Sequence, residues 1–383
     1  MVNFRLTFPR FSDGPIVHLA ENIKKGVKIP VIAVNKIRDP LFAERILQEG
    51  KADLIALGRT LIADPDFVNK TIEGRYDEIC PCISCCQGCI QNVLDRDLPM
   101  SCTTNPVAGR EIEFPAIEKA EVQKKVFIIG GGPGGLEAAL IAAERGHDVT
   151  IYEKRDRLGG LLIEAAIPPG KTDINRLTNY FKNQIKKLEV KVKLNTEATP
   201  ALVAAEKPDV VVIAAGGEPI LPTIPGVKRE NVVIAVDVLE EKVDVGGKVV
   251  IIGGGWQGVE LAEFLAAKGK RVTVVEMLSD VGIGMPSPAR IPLLFSLEDY
   301  GVNIMTLARA EEITESGVIV SWRGEKKLVE ADTVVLAAGY KERQEFFEGF
   351  KETAPEVHCI GNSAKSGNII DATHQGFEVA MKI

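Results

Sequence analysis

Six of the seven cysteines lie between Cys80 and Cys102. Four of them, Cys82, Cys85, Cys89 and Cys102, read C-x2-C-x3-C-x12-C. Four thiolates gathered by a short loop suit a cubane iron–sulfur cluster. They also suit structural zinc. Disulfide scaffolds are usually short and secreted, so a tight cluster in a 383-residue chain reads as a metal site. Cys80 and Cys86 are spare thiols, and Cys86 can replace Cys85 in a rearranged ligand set. Cys359, in an apolar stretch, reads as a packing residue.

Two glycine-rich turns offer a second chemistry. In VFIIGGGPGGLEAA, Gly130, Gly132 and Gly135 fit G-x-G-x-x-G, with Gly134 in the same turn. The first glycine makes the turn, the second lets backbone approach a pyrophosphate, and the third lets helix pack on strand. Phosphate charge then faces the helix N-terminus. Glu153 lies 23 residues after Gly130, where a carboxylate binds ribose hydroxyls. VVIIGGGWQGVELA repeats the pattern with Gly253, Gly255 and Gly258, and Glu276 again stands 23 residues on. Glu276 would repel the extra phosphate of NADP, and EMLSDVGIGM brings no Arg or Lys after it. The second turn is therefore expected to prefer NADH.

These turns need strands and helices to hold them. Residues 125–129, 148–152 and 209–214 read as strands of one α/β unit. Residues 248–252, 271–275 and 333–337 copy it about 123 residues later, an internal duplication. Ahead of the cysteines, 29–34 (IPVIAV) and 53–57 (DLIAL) are apolar runs of the kind buried in parallel sheets. Helices are expected over 15–25, 40–48 and 65–72. Two parallel strands do not make a stable sheet alone. They read as the tail of something longer; a partner that completes the sheet is the alternative.

Hydrophobic residues make up 45%, the net charge is −7 and the pI is near 5.4. This argues against nucleic acid and against a polybasic membrane anchor. No apolar run nears the roughly 18 residues of a membrane span. The expectation is a soluble, cytoplasmic protein with a small-molecule substrate, homo-oligomerisation being left open.

The stretch 121–383 resembles the two-dinucleotide flavoproteins typified by glutathione reductase. The resemblance implies FAD at the first turn and NAD(P)H at the second. VVIAAGGEPILPTIPG (211–226) and TVVLAAGYKE (333–342) resemble the two crossovers between the domains. VHCIGNSAKSGNIIDATHQGFEVA (357–380) resembles the closing FAD segment, with Gly361 approaching FAD and a helix from about Asp371 aimed at the flavin. Asn362 replaces the usual Asp, which implies weaker FAD binding. No cysteine lies between Thr103 and Glu356, so a thiol–disulfide outlet is excluded and electrons need another exit.

With CISCCQGCIQNVLDRDLPMSCTTNP included, the whole chain is similar to the 2,4-dienoyl-CoA reductase, enoate reductase and trimethylamine dehydrogenase group, multidomain relatives of old yellow enzyme. The family usually has Asn where Cys86 stands. The resemblance implies an α/β protein made of four parts. Residues 1–79 would be the C-terminal remnant of a TIM barrel, and 80–110 a [4Fe–4S] segment. Residues 121–245 with 341–383 would form a Rossmann-like FAD domain, and 246–340 an NAD(P)H domain. It brings Glu153, Gly160, Leu161 and Lys171 to FAD. It makes Lys36, Gly58 and Arg59 contacts of an FMN phosphate after the last two barrel strands. The competing readings are an Arg59–Asp64 pair and a solvated Lys36. A one-electron carrier beside a flavin favours iron–sulfur over zinc. The implied activity passes electrons from NADH through FAD and the cluster to FMN, which reduces an activated C=C bond in an enoate, a dienoyl-CoA or a steroid enone. An electron-transfer subunit and a non-catalytic NADH or iron sensor are the alternatives. His18 reads as packing or surface; His147, His358 and His374 have no evident role, and no acid–base catalyst is named.

Overall fold

The computed structural model describes residues 12–383. Continuous apolar runs buried on both faces become the central strands of two parallel sheets. The first runs Glu356–Cys359, Val210–Ile213, Lys125–Ile129, Asp148–Tyr152, Lys191–Lys193, with Ile129 opposite Tyr152 and Ile213. The second runs Asn303–Met305, Arg271–Val275, Lys248–Ile252, Thr333–Leu336, Val232–Ile234. Ile252 stands opposite Val275 and Leu336, so the duplicated pattern is a duplicated register. Val126, Ile128, Val210 and Val212 lie in the core of the first unit, and Val249, Ile251, Val274 and Val335 in that of the second.

Two pieces have no counterpart in the sequence reading. Ala308–Thr314, Gly317–Trp322 and Glu325–Glu330 form an antiparallel meander. Glu218–Pro219 pairs antiparallel with Tyr340–Lys341 and ties the two crossovers together.

The amino-terminal strands are shorter than expected. Only Ile32–Ala33 and Leu54–Ile55 pair, in parallel, instead of 29–34 and 53–57. Each has one neighbour, and Ile29, Ile32, Val34 and Leu54 are exposed. A small core of Val17, Ala33, Ile37, Ile46 and Ala52 holds the pair under helices Val17–Gly26 and Pro40–Gln48. Asp39 starts the second helix by accepting from Phe42 N at 2.9 Å, with Pro40 at its first position. The expected helix over 65–72 begins at Phe67.

Candidate functional site: a dinucleotide cavity beside a thiol cavity

One cavity of about 1450 Å³ runs between the two sheets, larger than the ~300–1,000 Å³ usual for one ligand. It has room for two. Gly130, Gly132, Gly134, Glu153, Gly160, Leu161, Lys171, Gly361 and Asn362 line it from the first unit, and Gly253, Gly255 and Glu276 from the second. Gly135 and Gly258 are not on its wall. A Cβ at Gly135 would sit 2.0 Å from Gly130 O, and one at Gly258 1.9 Å from Gly253 O. They let each helix close on its own turn. The turns need φ of +108° at Gly130 and +110° at Gly253, which only glycine adopts readily.

Helices Pro133–Glu144 and Trp256–Ala267 begin at the cavity, each capped by a glycine without a side-chain acceptor. Their first N–H groups are therefore available to a pyrophosphate. Glu153 accepts from Gly131 N at 2.7 Å and Arg155 N at 2.8 Å, and Glu276 from Gly254 N at 2.6 Å and Leu278 N at 2.8 Å. The matching pairs fix both carboxylates at the mouths of their turns. Arg309, on the meander, also lines the wall near Glu276. The sequence reading, which searched only the loop after Glu276, missed this cation.

Lys171 reaches across to Glu260 on helix Trp256–Ala267 at 2.5 Å. Glu260 lies four residues beyond Trp256, on the cavity side of the helix; that helical spacing was the available signal. Gln257 Nε2 donates to the Tyr340 hydroxyl at 3.2 Å, and burial pushes the Tyr340 pKa up. The closing helix is Ile369–Lys382, starting two residues before Asp371. Asn368 and Asp371 form a reciprocal capping box there. Its start lines the cavity. The Asn362 side-chain oxygen accepts from Gly367 N at 2.9 Å, and Gly361 N donates to Gln375 Oε1 at 2.7 Å.

A second, small cavity is lined by Cys82, Cys85, Cys86, Cys89 and Cys102 together with Arg59. All are free thiols. Burial pushes Cys85, Cys89 and Cys102 up, and Cys86 to about 11. Cys80 is turned away and donates to Thr104 O at 3.0 Å. Cys85 donates to Thr103 Oγ1 at 3.1 Å. Cys86 precedes a π-helix, Gln87–Asp95, and accepts from Arg59 Nη1 at 3.3 Å. Five sulfurs around one buried cavity fit a polynuclear cluster with four thiolate corners. Among the described residues no group of three or more His, Cys, Asp or Glu is disposed to hold a single metal ion. Ile83 and Cys85 line both cavities and form the wall between them.

Arg59 does not pair with Asp64. That carboxylate bonds Lys70 at 2.8 Å and Cys80 N at 2.8 Å. Gly58, beside Arg59, is exposed. Lys36 is not solvated: it is buried and 3.0 Å from Asp173. Burial lowers its pKa against the pull of Asp173. Arg38, absent from the sequence reading, donates to Cys82 O and Ser84 Oγ at 3.0 Å and to Asp173 at 2.8 Å, and it also meets Asp13. One guanidinium thus joins the amino-terminal unit, the cysteine loop and the first dinucleotide unit. His18 is exposed, and His147 accepts from Lys124 N at 3.1 Å. His358 meets Glu356 at 2.7 Å, and His374 Nε2 lies 2.9 Å from Cys102 O. Cys359 is only half-buried.

Paired nucleotide turns on duplicated parallel sheets define a two-dinucleotide oxidoreductase fold. Residues 124–359 match the pyridine nucleotide-disulphide oxidoreductase family, and the chain belongs to it. Residues 9–78 match the NADH:flavin oxidoreductase / NADH oxidase family. An NADH oxidase of Thermoanaerobacter brockii is 43% identical over 380 residues, covering 98% of this chain and 58% of the relative. A cinnamate reductase of Clostridium sporogenes is 37% identical over 95% of this chain and 54% of the relative. A 2-naphthoyl-CoA reductase complex superposes with a TM-score of 0.95 at 37% identity, over 99% of this chain and 58% of that one. The chain spans under two thirds of these relatives. The matches support flavin and NAD(H) binding. No helix among the described residues is long and apolar enough to cross a membrane.

Proposed function

We propose that this chain carries electrons from NADH through FAD to a [4Fe–4S] cluster and on to FMN in a completed barrel, where an activated C=C bond is reduced. The observation that supports this most is the shared wall: Cys85 and Ile83 face both the dinucleotide cavity and the thiol cavity. When bound, FAD would take a hydride, the cluster would carry single electrons, and FMN would deliver them to the substrate. The chain's own residues do the holding. The first turn with Glu153, Gly160, Leu161, Lys171, Gly361 and Asn362 would cradle FAD. The second turn with Glu276 would seat NADH, the carboxylate accepting ribose hydroxyls. Lys171 and Glu260 bridge the two halves and keep a fixed charge pair between them. Cys82, Cys85, Cys89 and Cys102 would ligate the cluster. Gly58 and Arg59 would meet the FMN phosphate, whereas Lys36 is committed to Asp173. The substrate class (an enoate, an acyl-CoA or a steroid enone) follows from the family resemblance and from the named relatives.

The test is an anaerobic NADH titration followed by visible absorbance and low-temperature EPR. Flavin bleaching with a growing reduced-cluster signal is expected. Bleaching without that signal would overturn the relay, and NADH binding without bleaching would point to a sensor.

A further inference from the structure

We propose that Asp95 and Gln91 are positioning residues for the dinucleotide at the second fingerprint, so that the cysteine segment shapes the NADH wall. The inference rests on the assignment of NADH to that fingerprint. Both residues lie on the π-helix Gln87–Asp95, which also carries Cys89. Helices of this type occur mostly as short insertions at functional sites. Buried Gln91 donates from Nε2 to Gly284 O at 2.8 Å. Asp95 accepts from Ser287 N at 3.0 Å and from Ser287 Oγ at 2.9 Å.

Ser287 begins helix Ser287–Asp299, and the cap position before it is Pro286, whose side chain accepts nothing. Asp95 therefore caps this helix from another segment, 192 residues away in sequence. Its negative charge also suits the helix start.

The same loop is held from its other side by the fingerprint. Gly282 N donates to Gly254 O at 2.7 Å, and Trp256 Nε1 to Ile283 O at 3.2 Å. Between the two sets of bonds, Met285, Pro286 and Ala289 form part of the cavity wall beside Gly255. Release of one side lets that wall move away from a bound dinucleotide.

The experiment uses the full chain loaded with FAD. Anaerobic rapid mixing with NADH gives a Kd and a limiting rate of flavin reduction. Asp95→Ala is expected to raise the NADH Kd about fivefold to tenfold, the range set by loss of a helix cap. FAD content and limiting rate should stay within twofold. Asp95→Asn keeps an acceptor oxygen and should restore most of the affinity. Gln91→Ala should act in the same direction. An unchanged Kd in Asp95→Ala overturns the proposal, as does a loss that Asp95→Asn does not rescue. If Asp95→Ala fails to hold FAD, Gln91→Ala carries the test. If the parent protein does not bleach with NADH, the NADH assignment fails instead. Hydrogen exchange over 281–290 then decides: faster exchange in Asp95→Ala supports the clamp, and equal exchange overturns it.

Discussion

Replacement of Asp173 by Asn removes one carboxylate from between two buried cations. The Lys36 and Arg38 side chains are 2% and 4% exposed, and that of Asp173 is 12%. Breaking a buried pair by removing one partner costs about 3–5 kcal/mol. Asp13 still faces Arg38, so the lower end applies, about 3 kcal/mol, or roughly 100-fold in a local opening equilibrium. The amides of Asp53 and Ala56, bonded to Val31 O and Ala33 O, report that opening by hydrogen exchange. Burial alone would raise the Asp173 pKa, but the Arg38 hydrogen bond and the charges of Arg38 and Lys36 hold it below the ordinary value. A depressed carboxylate contributes its full stabilisation above its unfolded pKa of about 3.9 and loses it as pH falls through the folded value. The difference between parent and variant should therefore be constant from about pH 5 to 8 and shrink below about 4. Exchange within twofold of the parent at pH 7 would show that the Arg38–Asp173 contact does not hold the amino-terminal unit in place.

Further outcomes follow from the turns and the thiols. Gly135→Ala should abolish FAD binding, because its Cβ falls 2.0 Å from Gly130 O; Gly258→Ala should spare FAD and lose NADH, which flavin absorbance and NADH titration separate. Serine at Cys82, Cys89 or Cys102 should lose iron by elemental analysis, whereas Cys80→Ser, turned from the cavity, should retain it. Comparison of Cys85→Ser with Cys86→Ser decides the disputed ligand, and iron loss is expected in the first alone. Glu276→Ala removes a charged acceptor worth about 1.5–3 kcal/mol to a ribose hydroxyl, so KM for NADH should rise roughly 10- to 100-fold.

The parts legible in the sequence were those set by local pattern. A central parallel strand needs a continuous apolar run, and a pyrophosphate turn needs glycines at fixed offsets. Thus 125–129 and 248–252 fall where the strands Lys125–Ile129 and Lys248–Ile252 stand. The meander was missed because its alternation is blurred by Arg309, Glu311, Lys326 and Lys327 on a half-exposed surface. Strand length at 29–34 was overestimated because apolar content reports a preference for burial, whereas pairing requires a neighbour. Arg38, Glu260 and Asp95 were invisible for another reason. Their partners lie up to 192 residues away, and no spacing rule reaches that far. Lys36 looked like a surface cation until Asp173, 137 residues on, came beside it.

The anchoring of the Cys102 loop has a consequence for biogenesis. Thr373 Oγ1 donates to Thr103 O at 2.8 Å, and His374 meets Cys102 O, a partner 272 residues upstream. At about 5–20 residues per second, the ribosome delivers His374 roughly 14–54 seconds after Cys102. For that interval the thiols of the nascent chain are without the helix that closes over them. Metal delivery, if it occurs during translation, has an open port; after release it must wait for that helix to lift. Thiol labelling of ribosome-bound chains, stalled before and after residue 374 clears the tunnel, would show full reactivity in the first and protection in the second. Equal labelling of the two would remove the port.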